Sequence, residues 1–263
     1  MTKAPALFIG HGSPMNAIED TPAARGWAAV AARFPRPRAI IVVSAHWTSD
    51  GVRVMANAQP DTIHDFGKGF PAELFAMTYP APGDPALATQ IVTRLADFGA
   101  QLDSGWGLDH GAWSVLVHMY PDADIPVVQV SLDARAKPEQ HYAIGRALAP
   151  LRHDNVLILA SGNVVHNLRA FFRHGDRPAP ASDASFEAFI TGAVEAGDHT
   201  AVLNYRARPE APEAAPDWDH FSPVLYALAA SDSERPEIFN RDLIPGIAMT
   251  SYAFGLPPPG KQQ

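Results

Sequence analysis

Three short apolar runs that each end near a histidine constrain this chain more than any other feature. Ala6-Leu7-Phe8-Ile9-Gly10 leads into His11, and Ala39-Ile40-Ile41-Val42-Val43-Ser44-Ala45 leads into His46. Val156-Leu157-Ile158-Leu159-Ala160 passes through Ser161-Gly162-Asn163 to reach His166. A short, uninterrupted apolar run closed by a glycine turn reads as a strand buried on both faces, the kind found in parallel sheets. In an open α/β sheet, ligands bind beyond the carboxyl ends of such strands. One histidine in that position is more often a hydrogen-bonded structural residue than a catalytic one. Three with matching context predict a shared metal or catalytic site at one sheet edge.

The rest of the pattern fits an α/β chain. Helical spacing marks Glu19 to Phe34, with Trp27, Val30, Ala31 and Phe34 on one face, and Pro85 to Phe98, with Leu87, Ile91 and Leu95. Further helices are expected over Trp113–Met119, Pro138–Ala149, Ser182–Val194 and Asp217 to about Ala230, the last capped by Asp219 or Ser222. Val52–Ala56, Ile125–Leu132 and Ile247–Phe254 read as strands, and Pro209–Pro212 as a loop. Pro60, Gly67, Gly69, Pro71, Pro80, Pro82 and Gly83 rule out a long helix between Asn57 and Asp84, apart from a turn around Ala72 to Met77. A loop of that length is usually functional, and it supplies His64, Asp65, Phe66, Phe70 and Tyr79 as pocket-wall residues. The tail Pro257-Pro258-Pro259-Gly260 reads as loose. At 263 residues without a repeat or linker, the expectation is a single domain over 1–263, with a mostly parallel central sheet flanked by helices.

Composition removes several function classes. The formal net charge is −8 and no run of Lys or Arg stands out, so neither nucleic acid nor an anionic membrane is an expected partner. There is no cysteine, which excludes disulfides, thiolate metal sites and a cysteine nucleophile. A metal must then be held by His, Asp or Glu, which points to iron, zinc or manganese. Met1-Thr2-Lys3-Ala4-Pro5 lacks an apolar signal region, and the expected setting is cytoplasmic.

Of the other histidines, His220 opens a helix ahead of Phe221 and Pro223, so it is either a fourth site member or a local hydrogen-bonding residue. His110 lies in the glycine-punctuated stretch Trp106–Trp113, where it reaches either a substrate or nearby backbone. His64 reads as a solvated loop residue, and His118, His141, His153, His174 and His199 as structural or surface groups. Gly10-His11-Gly12-Ser13 lacks the glycine pattern and lysine of a phosphate loop, and no Gly-x-Ser-x-Gly elbow supports a serine hydrolase.

Five segments together carry a resemblance: Gly10-His11-Gly12-Ser13-Pro14, Ser44-Ala45-His46-Trp47, Leu108-Asp109-His110-Gly111-Ala112-Trp113, Gly162-Asn163-Val164-Val165-His166-Asn167-Leu168 and Asp219-His220-Phe221. In this order, and over Pro5 to about Phe254, the chain resembles the DOPA-type extradiol ring-cleaving dioxygenases, in the superfamily of the protocatechuate ring-opening catalytic subunit. The resemblance implies a non-haem Fe(II) site, sometimes holding Zn(II) in isolated protein, and a small aromatic diol and O2 as reactants. It matches His11, His46 and His220 to metal ligands and His110 to a histidine near substrate and oxygen. His166 matches a histidine beside the metal, either a further ligand or the acid/base. The usual triad is two histidines and a carboxylate; here His220 takes the third place, as in the DOPA-type branch, with Asp219 adjacent. Trp47, Phe66, Trp106 and Trp113 stand as pocket-wall or core aromatics. The competing readings are a zinc hydrolase using the same histidines and a non-catalytic metal-binding relative.

Overall fold

A computed structural model describes residues 3–175 and 177–258, so Pro259 and Gly260 of the expected loose tail lie outside the described residues. One six-stranded sheet organises the fold. Its strands are β1 (Ala6–Gly10), β2 (Ala39–Ser44), β3 (Val127–Gln129), β4 (Val156–Gly162), β5 (Pro236–Phe239) and β6 (Ser251–Phe254), in the order β3-β2-β4-β1-β6-β5. The pairs β3–β2, β2–β4 and β4–β1 are parallel, whereas β6 runs antiparallel to both β1 and β5.

The apolar runs are continuous because both faces of the sheet are covered. Phe8, Ile41, Val43, Ile158 and Ala160 pack on one side against α2 (Pro85–Arg94), α4 (Pro138–Leu148), α5 (Ala181–Ala196) and α6 (Trp218–Ala230). The intervening residues Leu7, Ile9, Ile40, Val42, Leu157 and Leu159 pack on the other against α1 (Pro22–Ala31) and α3 (His110–Met119). Period-2 alternation sends successive side chains to opposite faces, so burial of both requires every position to be apolar. The chain is thus a single α/β domain with a mostly parallel sheet flanked by helices. Among the described residues no helix is long and apolar enough to cross a membrane.

Several boundaries differ from the sequence expectation. The last strand divides into Ile247–Ala248, paired with Leu243–Ile244, and β6; the edge strand β5 had no clear sequence signal because its Pro-Glu-Ile-Phe run is only partly buried. Ile125–Leu132 likewise breaks after Gln129, and Leu132–Asp133 pairs with Thr48–Ser49 outside the main sheet. Ala211–Ala214 forms a helical turn where a loop was expected, with Pro212 in its first turn, a position that needs no N–H. At the start of α6, neither Asp219 nor Ser222 acts as the cap. Asp217 holds that position without a side-chain bond, and the Ser222 hydroxyl donates back to Trp218 O at 2.7 Å.

Away from the histidines, Arg152 ties together the opposite end of the sheet. Fully buried, it donates from Nε to Ala4 O at 2.8 Å, bonds Ala230 O at the end of α6, and meets the Glu234 carboxylate at 2.6 Å. Replacing it leaves the Ala4 and Ala230 carbonyls without this donor and leaves Glu234 with Lys3 as its remaining cation. Arg152→Ala is expected to destabilise the protein by roughly 3–5 kcal/mol, or about 10 °C in Tm by calorimetry.

A second prediction concerns pH. His141 is buried in α4, stacked on Trp218 with Nδ1 3.0 Å from Tyr226 Oη, while its Nε2 has no partner among the described residues. Burial, ahead of any neighbouring charge, lowers its pKa to about 4. The unfolded chain therefore takes up this proton first, and stability present above about pH 6.5 drains away as pH falls towards 4. Urea unfolding between pH 7 and 4 should show a shallower slope for His141→Phe than for the wild type.

Candidate metal centre

Parallel register brings the first histidines together. Gly10 is level with Gly162 across β1–β4, and Ser44 with Ser161 across β2–β4, so the residues following each strand emerge at one edge. His11 and His46 meet there with their Nε2 atoms 3.0 Å apart. α3 contributes His110 from its first residue. Its N-cap is Asp109, whose Oδ1 accepts the Ala112 N–H at 3.1 Å and the Ser44 hydroxyl at 2.7 Å, while Oδ2 accepts Gln129 Nε2 at 2.7 Å. The helix thus starts at His110, not at Trp113, because one buried carboxylate joins it to the ends of β2 and β3. Gly111 conceals this start in the sequence through its poor helix propensity, but close packing requires it: a Cβ there would lie 2.5 Å from Ser44 Oγ and 2.9 Å from His46 Cδ2.

α6 supplies His220. Pro223 inside the helix has no N–H to donate and loosens the first turn, and the His220 carbonyl accepts the Asn163 N–H at 2.8 Å. Gly162 permits this contact, since a Cβ there would come within 2.3 Å of that carbonyl. His220 lies with its ring centroid 5.6 Å from His11 and 5.0 Å from His46. His166 stacks flat on His220 at 3.5 Å, its backbone held by Ala214 O and by a bridge to Ile247. All five predicted histidines therefore gather at one place. Those whose ligating atoms lie within 4.8 Å of one another are His11, His46 and His110.

Hydrogen bonds settle which nitrogens are free. Ser161 donates its hydroxyl to Gly111 O at 2.6 Å, so its lone pairs face His11 Nδ1 at 3.0 Å and that nitrogen carries the hydrogen. The Asp65 carboxylate, an acceptor only, sits 3.0 Å from His110 Nδ1 and 3.3 Å from His46 Nδ1. Asp219 is 3.1 Å from His220 Nδ1. His11, its Nδ1 hydrogen on Ser161, directs an Nε2 lone pair at His46 Nε2, 3.0 Å away, so two ring nitrogens converge on one point. Two imidazole nitrogens this close, beside further histidines, can serve together as ligands of one ion, so the residues fit a metal. The buried Nδ1 of His166, 3.6 Å from the Asp217 carboxylate and without a hydrogen-bond partner among the described residues, is in keeping with this polar, incompletely partnered cluster. Burial first, then the other histidines, holds the pKa values of His11 and His46 well below the usual range, which keeps them in the neutral form that ligates.

The roles of Ser161 and Asp65 carried no local sequence signal, since their partner rings are remote in the chain, whereas Asp219 stands next to its partner His220. The expected pocket aromatics separate. Phe66 stands edge-on to His110 at 5.6 Å; Trp47 stacks on Trp106 at 5.3 Å; Trp113 is core, its Nε1 donating to Ile63 O. His64 is half-buried and bonded to Met77 O, not solvated.

Comparison with known proteins converges on one family. Residues 5–255 match the family model described as the catalytic LigB subunit of aromatic ring-opening dioxygenase. A 4,5-DOPA dioxygenase extradiol of Escherichia coli is 47% identical over 242 residues, covering 89% of this chain and 88% of the relative. A protein of the same name from Beta vulgaris is 38% identical over 258 residues, covering 94% and 95%. The crystal structure of an uncharacterized protein from Escherichia coli K12 superposes with a TM-score of 0.83 at 39% identity, covering 96% of this chain and all of the other.

The geometry predicts distinct effects for two small substitutions. Ser161→Ala removes the acceptor that orients His11, and metal affinity measured by competitive chelation is expected to fall about 10–100-fold with little change in Tm. Gly162→Ala should both displace His220 and destabilise the fold, lowering Tm and metal content together.

Proposed function

Because the chain belongs to the family of the catalytic LigB subunit of aromatic ring-opening dioxygenase, we propose that it is a metal-dependent extradiol dioxygenase that opens a catechol ring with O2. The observation that carries this reading is the buried histidine cluster at the carboxyl edge of the sheet, combined with family membership over nearly the whole chain. Catechol and O2 give a ring-opened acid semialdehyde that keeps both oxygen atoms, and no further reductant is required. The whole chain forms the catalytic unit, and a small DOPA-like diol is its substrate, as the names of its relatives suggest.

In this proposal His11, His46 and His220 hold the metal, with His166 beside them as a further ligand or as the acid/base. Histidine donors alone accept both iron and zinc; Fe(II) is proposed because zinc has no redox chemistry to offer O2. When bound, the metal supplies Lewis acidity that lowers the catechol pKa values and a route for electrons to O2. Ser161 orients His11 through its Nδ1 hydrogen, and the Asp65 carboxylate faces His46 Nδ1 at 3.3 Å. His166 is neutral, since burial and then His220 lower its pKa to about 3, and it offers a lone pair beside the metal, as a further ligand or towards a catechol hydroxyl. His110, with Nδ1–H fixed on Asp65, presents its Nε2 lone pair on the substrate side, where it takes up a proton from the reacting groups and returns it. Phe66 provides an apolar wall next to that nitrogen and limits access of water.

Anaerobic loading with Fe(II), followed by oxygen-electrode measurements with a catechol panel including DOPA, tests the reading. Oxygen uptake is expected to match formation of a yellow ring-opened product, with none for the Zn(II)-loaded protein. His166→Ala should lower kcat by roughly 10²–10⁴ while the fold remains intact. Absence of uptake with every catechol, despite confirmed iron loading, would overturn the assignment.

A further inference from the structure

We propose that Asp65 is a shared positioning residue whose carboxylate couples the metal-binding ring of His46 to the substrate-side ring of His110. One oxygen, Oδ2, lies 3.3 Å from His46 Nδ1 and 3.0 Å from His110 Nδ1, and Oδ1 accepts the His110 backbone N–H at 2.8 Å. The two rings are only 3.8 Å apart between centroids. The hydrogen bond puts the hydrogen of His110 on Nδ1, and the proposal assigns the same tautomer to His46, whose Nδ1 stands 3.3 Å from the same oxygen, so that both Nε2 atoms face the site as lone pairs. A single group therefore sets the tautomer and tilt of two imidazoles with different tasks. The inference rests on the functional reading for the task of His110, but not for that of His46.

The surrounding loop is anchored without this carboxylate. Ile63 N donates to Leu108 O at 2.7 Å, Leu108 N to Asp61 O at 2.8 Å, and Trp113 Nε1 to Ile63 O at 2.8 Å. Losing the Asp65 charge should consequently spare the loop and disturb the rings. The next residue, Phe66, packs edge-on against His110, so the segment that walls the site also aligns its chemistry.

The test uses the full chain as wild type, Asp65→Asn and Asp65→Glu. Cobalt(II) alone is titrated and followed by its visible absorption, Tm is taken on metal-free protein, and kcat and KM are measured with Fe(II) and DOPA. For Asp65→Asn we expect a 10–100-fold loss of Co(II) affinity with a changed spectrum. We also expect kcat to fall at least tenfold, KM to stay within threefold and Tm within a few degrees. Asp65→Glu, which keeps the charge, should recover part of the affinity. Co(II) affinity and kcat both within threefold of wild type overturn the proposal. So does a lowered Tm with an unchanged Co(II) spectrum, which would make Asp65 a fastener of α3 only. If Asp65→Asn does not fold, ring ¹⁵N spectra of Zn(II)-loaded wild type decide: His46 and His110 should both be the Nδ1–H tautomer, and Nε2–H in either overturns the proposal. The cobalt and tautomer readings need no catechol, so failure of oxygenase activity in the wild type remains distinguishable from failure of the Asp65 assignment.

Discussion

Parallel pairing of β4 with both β1 and β2 is the constraint on which the remaining structure depends. The ladders set Gly10 beside Gly162 and Ser44 beside Ser161, so His11 and His46 leave the sheet at the same level. A slip of one residue would exchange the two faces of a strand and so replace the side chains that each apolar layer is packed around with others of different size and shape. The register is consequently enforced by both halves of the core, the layer under α1 and α3 and the layer under α4, α5 and α6. The energy that positions the histidines comes from apolar burial well away from them.

Around that edge, positioning proceeds through Nδ1. Ser161 bonds His11, Asp65 bonds His110 while facing His46 Nδ1 at 3.3 Å, and Asp219 bonds His220. Such bonds leave Nε2 as the free nitrogen of each ring and reduce the rotational freedom that a ligand or acid would otherwise lose in the reaction. Asp109 works one layer further out, joining β2, β3 and α3 through Ser44, Gln129 and the first turn of the helix. The polar groups buried here form a connected network, which makes the site rigid in a way that isolated histidines on loops could not be.

The strands were readable because burial on both faces leaves a run with no polar interruption. Helices α1, α2 and α4 were readable because each begins with proline and repeats apolar residues at helical spacing. The edge strand Pro236–Phe239 was not, as its side chains are only partly buried and its pairing with β6 is a long-range event. His110 was identified as a site residue but placed in a loop, because Gly111 masks a helix start that Asp109 secures through tertiary bonds. Asp65 was placed on the pocket wall, and its contact with two rings depends on a loop folding against residues far along the chain.

The sequence by itself determined the α/β class, the strand–turn–histidine grammar and a metal chemistry limited to His, Asp and Glu ligands, since these follow from local periodicity and from the absence of cysteine. Tertiary structure alone decided that Ser161, Asp65 and Asp219 orient the rings and that His220 docks against Gly162 and Asn163. It also decided that the Nε2 atoms of His11 and His46 confront each other at 3.0 Å. The physical reason is that hydrogen bonds and metal ligation act over about 3 Å in space, and no periodicity in the chain records which distant groups folding will bring that close.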